Sequence, residues 1–153
     1  VLIAKQPQVQ YQLSPQGIKQ FHREYQAIIA GQLVPPAGLI DAPIAHALPS
    51  IIQRKVAPDG KPARTHYKTI VSNGRLTLIQ LTLETGRTHQ IRVHLAHLGH
   101  PLLGDDLYGG SCELINRQAL HAFRLSFIHP MTGQPICITS PLPADMTQIV
   151  STL

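Results

Sequence analysis

The amino-acid sequence predicts an α+β fold built on a mixed, mainly antiparallel sheet with a few helices. Segments in which apolar and polar residues alternate outnumber those with apolar residues at helical spacing. The dipeptide Asn73-Gly74 separates two of the alternating segments, which is a strong signal for a tight β-hairpin. The chain has 153 residues, of which 43% are apolar, so we treat residues 1–153 as one domain with a sizeable core.

The N-terminal region is expected to contain a strand, a helix and a second strand. Residues 1–4 are uniformly apolar, which favours a strand. Residues 7–16 favour a short helix, because two apolar residues lie four positions apart and Gly17 can terminate the run. Residues 21–29 alternate between apolar and polar types, which predicts a strand that carries Tyr25 on its apolar face.

The middle and C-terminal regions are expected to contribute two β-hairpins. The first consists of strands at 64–71 and 76–83, and both alternate well. The second consists of strands at 122–128 and 136–139, which flank a turn marked by proline and glycine. Residues 45–50 follow no regular pattern and are expected to be irregular. The first hairpin delivers the chain into the polar segment that follows it.

That polar segment, residues 85–110, reads TGRTHQIRVHLAHLGHPLLGDDLYGG. Thr88 can cap a helix, and apolar residues recur at helical spacing until Gly99, which predicts a helix at about 89–98. Ile91 and Leu95 should face the core, while Arg92 projects from a different side. Cations directly after a strand are typical of a site, although isolated charges on a solvated helix face are the commoner case.

The charge balance favours a polyanionic partner such as RNA. Thirteen Lys and Arg against eight Asp and Glu give a formal net charge of +5, although basicity alone does not establish such a partner. No run approaches the roughly 18 consecutive apolar residues of a membrane span. Residues 1–4 are too short for a secretory signal, so we expect a cytoplasmic protein.

The run GRTHQIRVHLAHLGHPLLGDDLYGG resembles the arginine motif of the RluA-type RNA pseudouridine synthases. Shorter matches follow the order of that family: REYQAIIAG at 23–31, GLIDAPI at 38–44, GKPARTHY at 60–67, LHAFRLSFIHPMTG at 120–133 and SPLP at 140–143. The resemblance implies a largely antiparallel sheet with a central cleft, and isomerisation of uridine to pseudouridine in ribosomal or transfer RNA. This reaction detaches uracil from the ribose and rejoins it through C5, so we expect RNA as partner, no cofactor and no obligate protein partner.

The resemblance also implies three residues of the catalytic site. Tyr25 matches the tyrosine that lies against the target base, and Arg92 matches the arginine that pairs with the catalytic aspartate. Leu120 matches an apolar residue that closes the pocket. By residue type alone, Tyr25 and Leu120 are also typical of ordinary core positions.

The sequence lacks the motif that carries the family's catalytic aspartate. A segment similar to HRLDxxTSG precedes the family's match to VLIAK, and nothing like it occurs in residues 1–153. The domain is therefore expected to be N-terminally incomplete, Arg92 to lack its carboxylate partner, and the isolated chain to be inactive. Two other interpretations stay open: an RNA-binding remnant without catalysis, and a truncated product without independent function.

Four residues are candidates for contact with RNA. Arg87 and His89 precede the predicted helix, where they can support the arginine loop or touch phosphate. Arg64 and Lys61 surround a turn at 58–60, and RNA affinity rests largely on neutralising backbone charge. A solvated hairpin edge is an equally good interpretation of Arg64 and Lys61.

The remaining polar residues favour structural roles. His94 and His97 lie one helical turn apart, but no carboxylate accompanies them on the helix, so we expect no metal site. Asp105 and Asp106 are interpreted as a turn that hydrogen-bonds its own backbone. The two cysteines, Cys112 and Cys137, form no CxxC pair and are expected to be free thiols.

Overall fold

The computed structural model describes residues 2–13 and 21–153, and its centre is one six-stranded sheet. The strands of this sheet are β1 (His22–Ala30), β2 (Ala37–Asp41), β5 (Arg64–Ser72), β6 (Leu76–Leu83), β7 (Leu120–Ile128) and β8 (Pro135–Thr139). They are arranged in the order β2-β5-β6-β1-β7-β8, and every pairing among them is antiparallel. The α+β class and the mainly antiparallel sheet are therefore confirmed.

The other elements surround this sheet. A separate two-stranded hairpin consists of β3 (Ile44–His46) and β4 (Arg54–Val56). The helices are α1 (Pro7–Gln12), α2 (Gln90–His97) and α3 (Ala144–Val150), and a 3-10 turn lies at Asp106–Tyr108. In the part of the chain that the structure describes, no helix has the length and apolar character needed to cross a membrane.

Both predicted hairpins are confirmed, and the expectations for residues 2–4 and 45–46 are wrong. Residues 2–4 form no strand, because they pair with no described strand; Val1 lies outside the described residues. The first helix comprises Pro7–Gln12, and the predicted continuation over residues 14–16, with its terminator Gly17, lies outside the described residues. Residues 45–46, expected to be irregular, belong to β3, because they pair with Arg54 and Lys55 in a short antiparallel ladder.

The strand alternation divides the apolar core between the two faces of the sheet. On one face, Ala27 and Leu81 pack in one cluster with Ile91 and Leu95 of α2. On the other face, Ile28 packs in a cluster with residues of α3. A fully buried Leu or Ile contributes roughly 1.5–3 kcal/mol relative to exposure, so burial on both faces holds β1 firmly in the middle of the sheet. Ile91 and Leu95 face the core, as the helical spacing predicted.

The start of α2 is set by a glutamine rather than by the predicted threonine cap. His89, not Thr88, is the N-cap residue, and its side chain makes no capping bond. Instead, Gln90 Oε1 accepts hydrogen bonds from Thr85 Oγ1 at 2.8 Å and from the Arg87 backbone N–H at 2.9 Å. The expectation for Thr88 was wrong because the Gln90 side chain, inside the helix, accepts the hydrogen bonds of the loop that precedes the helix.

Candidate active site

Tyr25 lies near the centre of the sheet, on β1 between β6 and β7. It pairs with Leu81 of β6 and with Ala122 of β7. The register with β7 shifts at this point: Glu24 pairs with Arg124 and Tyr25 with Ala122, so Phe123 is an extra residue in β7. A β-bulge bends the strand locally and re-aims nearby side chains, and bulges are over-represented beside active sites.

Tyr25 also lines a cavity that has a volume of about 780 Å³. This volume is within the range of small-molecule sites. Two cations, Arg23 and Arg124, share the cavity with apolar and aromatic residues. No carboxylate is among the described residues that line it; they are Leu2, Ile3, Ala4, Gln10, Leu13, Phe21, Arg23, Tyr25, Ala122, Phe123, Arg124, Leu125, Ile138 and Ser140. The cavity offers ring stacking and positive charge.

Leu120 lies diagonally across from Tyr25 on the same face of the sheet. It pairs with Ala27, two positions along β1 from Tyr25, and successive odd positions of a strand share a face. Leu120 and Tyr25 are both half-buried and pack against the same apolar cluster. Leu120 is not among the residues that line the Tyr25 cavity. Leu120 therefore packs beside Tyr25 in the apolar cluster on this face of the sheet.

Arg92 has a carboxylate partner, Asp105. The expectation that it lacks one, drawn from the missing aspartate motif, is therefore wrong. Its Nε donates to Asp105 Oδ2 at 2.8 Å and its Nη2 donates to Oδ1 at 2.7 Å. The Asp105 side chain is fully buried, and this two-point contact raises the pKa of Arg92 above its ordinary value. The guanidinium also lies 4.8 Å from the centre of the Tyr108 ring. Arg92 is thus held in one orientation by a carboxylate and an aromatic face.

The two neighbouring aspartates of the loop have different roles. Asp106 Oδ1 accepts a hydrogen bond from the Leu107 backbone N–H at 2.8 Å, so the turn interpretation is confirmed for Asp106. It is wrong for the Asp105 side chain, which binds Arg92 instead. The difference arises because Asp105 is enclosed by the loop while Asp106 is exposed.

His89 joins the start of α2 to the loop around Tyr108. Its φ of 56° is in the left-handed region, which is strained for a residue with a side chain. Its Nδ1 lies 2.9 Å from Tyr108 Oη, which in turn accepts a hydrogen bond from the Arg54 backbone N–H at 3.0 Å. Burial, together with the charges of Arg92 and Arg54, lowers the pKa of His89, so the ring is neutral and is hydrogen-bonded to the Tyr108 hydroxyl.

His94 is buried and uses both ring nitrogens in hydrogen bonds. Nε2 donates to the Ala42 carbonyl at 2.9 Å, and Nδ1 accepts from Thr65 Oγ1 at 2.9 Å. Gln90 Nε2 donates to the same threonine oxygen at 3.0 Å. Burial lowers the pKa of His94, so the ring is neutral and joins α2 to the sheet.

The candidate RNA-contacting residues occupy two different environments. Arg64 is paired with Asp41 at 3.1 Å and with Glu84 at 2.8 Å, so its charge is largely neutralised. Lys61 and Arg87 line a second cavity, beside the β3–β4 hairpin. The structure therefore does not bring Arg64 together with Lys61 in one basic site.

Two functional contacts escaped sequence reasoning. Tyr108 is hydrogen-bonded to the hairpin and to His89 and lies beneath Arg92, but a lone tyrosine in a glycine-rich loop carries no periodic signal. Asp105 was assigned to the turn because GDDLYG after a proline is typical of a turn that hydrogen-bonds its own backbone. The glycines on both sides of the Asp-Asp pair were the available signal, since a loop folded that tightly can bury one of the two.

The fold and the cavity define a class of protein: an α+β domain with a central six-stranded sheet and an open cleft that combines an aromatic ring and arginines. The family model for RNA pseudouridylate synthase matches residues 1–97, and the chain belongs to this family. The resemblance to the RluA-type synthases is thereby confirmed.

Curated relatives and a solved structure agree with this assignment. An uncharacterized RNA pseudouridine synthase of Bacillus subtilis (strain 168), YjbO, is 50% identical over 128 residues, covering 84% of this chain and 45% of that protein. Ribosomal large subunit pseudouridine synthase D of Xanthomonas campestris pv. campestris is 39% identical over 168 residues, covering 100% of this chain and 50% of that protein. The chain thus spans about half the length of these curated relatives. The structure of human RNA pseudouridylate synthase domain containing 1 matches with a TM-score of 0.67 at 24% identity, over 86% of this chain and 65% of that one, which supports the fold.

Proposed function

We propose that this chain forms the uridine-binding part of an RNA pseudouridine synthase that acts on ribosomal or transfer RNA in the cytoplasm. The observation that carries the proposal is the position of Tyr25, which lies beside a β-bulge and lines the 780 Å³ cavity. The family membership supplies the reaction. Uridine would be isomerised by cleavage of its bond to the ribose and re-attachment through C5.

Tyr25 is proposed to stack on the flipped uracil. A base must leave the helical stack before its glycosidic bond can react, and an aromatic ring compensates for the lost stacking. Such a contact contributes about 1–3 kcal/mol per base. The Tyr25 hydroxyl can also reach a proton of the base, and Leu120, which packs with Tyr25 against the same apolar cluster, is proposed to close the pocket.

Arg92 is proposed to orient the catalytic aspartate. Asp105 occupies its Nε and Nη2, while Nη1 makes no hydrogen bond to any residue in the described part of the chain. That nitrogen remains available to a second carboxylate, and the contact with Asp105 fixes its direction.

The nucleophile is proposed to come from a segment outside the described residues. No carboxylate among the described residues lines the Tyr25 cavity, and Glu24 beside it is held by Arg124 at 3.1 Å and Gln80 at 2.6 Å. Residues 1–153 by themselves are therefore proposed to be inactive. The same observation favours a second candidate function, RNA binding without catalysis.

Four residues are proposed to contribute to RNA binding in different ways. Lys61 and Arg87 are exposed and form no ion pair with any described residue, so they are proposed to bind phosphate directly. His89 is proposed to support the Arg92 loop from its bond to Tyr108. Arg64 is proposed to make a weaker contact, because two carboxylates already neutralise it.

The test is release of the C5 hydrogen from labelled uridine in RNA. We would join the N-terminal half of the Bacillus subtilis relative, YjbO, ahead of Val1 and compare this chimera with residues 1–153 alone. The chimera should release label and the short chain should not. In the chimera, Tyr25→Phe keeps the stacking ring and tests the hydroxyl, while Tyr25→Ala removes both.

Label release by the short chain would show that a carboxylate within it does the chemistry. Failure of a folded chimera to release label from RNA that it binds would favour the RNA-binding function instead.

A further inference from the structure

A second cavity lies between the β3–β4 hairpin and the loop that precedes α2. Its volume is about 410 Å³. The hairpin side contributes Ile44, Ala45, His46 and Arg54, and the turn after it contributes Asp59, Gly60 and Lys61. The loop side contributes Gly86, Arg87 and Thr88. No Phe, Tyr or Trp is among these described lining residues, and the His46 imidazole is the one aromatic ring among them.

The charges in this cavity suit an anion. Arg54, Lys61 and Arg87 are all present, and His46 adds two ring nitrogens. Asp59 is the one carboxylate among the described residues that line it. Because neither Lys61 nor Arg87 is in an ion pair with a described residue, their charges are not already neutralised. Phosphate oxygens in protein complexes are bound by cations and by exposed N–H groups of this kind.

The cations on the two sides of the cavity are held in place. Arg87 Nε donates to the Pro62 carbonyl at 2.9 Å, which leaves its two terminal nitrogens directed elsewhere. Arg54 Nη1 donates to three carbonyls of its own hairpin turn, at 3.0 to 3.2 Å. The hairpin itself is fastened to the loop at Tyr108 through the Arg54 backbone N–H. The cavity is therefore preorganised, which lowers the entropic cost of binding.

The second cavity adjoins the Tyr25 cavity at Gly86. A Cβ atom placed on Gly86 would lie 4.0 Å from Arg23 Nη1, its nearest neighbour. Arg23 lines the Tyr25 cavity, and Gly86 lines the second cavity. Positive charge thus continues from one cavity to the other, with no side chain on Gly86 between them.

We propose that the second cavity binds a backbone phosphate of the RNA strand that places its uridine against Tyr25. Arg23 accompanies the strand between the cavities, and Lys61 and Arg87 neutralise the phosphate at the far end. This inference rests on the proposed function, because it takes the Tyr25 cavity to hold the target base. The contact is with phosphate, so it positions the strand without reading its sequence.

The test is the salt dependence of RNA binding by residues 1–153. Fluorescence anisotropy with a labelled single-stranded RNA that contains uridine would give the association constant across a range of salt concentrations. The variant Lys61→Gln/Arg87→Gln is compared with the control Lys68→Gln/Arg75→Gln, which removes two exposed cations outside both cavities. Both variants change the net charge equally, and their thermal unfolding is measured to establish that both fold.

The plot of log K against log salt has a negative slope. The cavity variant should reduce the magnitude of this slope by about 0.7 for each lost contact, and the control should not. The loss of affinity should be the same for RNAs of different sequence. Equal slopes for the two variants would overturn the inference.

The chimera separates this inference from the proposed function. In an active chimera, Lys61→Gln/Arg87→Gln should raise KM and leave kcat unchanged, because the phosphate contact is the same in the bound substrate and the transition state. An active chimera whose KM is unchanged by the substitutions overturns the phosphate site alone. If the chimera is inactive but the two substitutions still reduce the magnitude of its salt slope, the proposed function is overturned and the phosphate site is supported.

Discussion

Among single residues, Asp105 contributes a buried charge that Arg92 compensates. The variant Asp105→Asn keeps the size of the side chain but removes the charge, so Arg92 loses its ionic partner. Because the aspartate side chain is fully buried and the arginine side chain is only 14% exposed, we expect a loss of about 3 kcal/mol in the free energy of unfolding. Urea denaturation of residues 1–153 measures this loss.

The adjacent residue provides the matched control. Asp106 is exposed, and its carboxylate bonds only to the next backbone N–H. Asp106→Asn should change the free energy of unfolding by less than about 0.5 kcal/mol. Equal effects of the two substitutions would contradict the assignment of the buried charge to Asp105.

Sequence reasoning at this scale succeeded where a residue's environment follows from its own element. The inward direction of Ile91 and Leu95 follows from helical spacing, and the structure confirms it. The partner of Arg92 was missed because it is thirteen positions away, across an irregular loop whose path no periodicity records. Which of Asp105 and Asp106 is buried against Arg92 depends on the path of that loop.

At the scale of elements, the loop of residues 99–110 depends on Gly104. Its φ is +69°, and a Cβ atom there would lie 1.9 Å from the Arg117 carbonyl oxygen. Gly104→Ala should lower the free energy of unfolding by about 2–5 kcal/mol, the sum of a left-handed backbone penalty and overpacking. Chemical denaturation measures the loss.

Gly109 in the same loop separates the two causes. It also has a positive φ, +85°, but a Cβ atom there would meet no atom within 4 Å. Gly109→Ala should therefore show only the backbone penalty, about 1–2 kcal/mol. If the two alanine variants were equally stable, close packing against residue 117 would not be the reason for glycine at position 104.

The elements differ in how far the sequence predicts them. The β5–β6 and β7–β8 hairpins were predicted, because alternation and a turn signal lie within one short segment. The β3–β4 hairpin was not, because each of its strands has three residues and alternation over three residues is uninformative. The bulge at Phe123 was also missed, since it is a property of strand register rather than of one strand.

For the whole molecule, the stability should depend on pH through His94. Its pKa is lowered from 6.5 in the folded state, so below pH 6.5 the unfolded chain binds a proton that the folded chain does not. The free energy of unfolding should therefore fall as the pH is lowered from about 7 toward 5. Urea denaturation at several pH values measures this slope.

Two variants identify the group responsible. His94→Gln should be less stable than the parent chain at pH 7, because it disturbs the bonds to Thr65 and Ala42, but its pH slope should be shallower. His22→Gln alters an exposed histidine and serves as the matched control for the loss of one imidazole. A parent slope retained by His94→Gln would assign the proton uptake to another group.

The Tyr108 contacts predict an energetic coupling between two parts of the protein. One phenol ring connects the β3–β4 hairpin, through the Arg54 backbone, to the guanidinium of Arg92. We expect a phosphate bound beside the hairpin to favour one orientation of Arg92 through this ring. By thermodynamic reciprocity, a carboxylate that binds Arg92 would then change the affinity of the hairpin for phosphate by the same factor. Under the proposed function, RNA binding and orientation of the catalytic aspartate are two sides of one equilibrium.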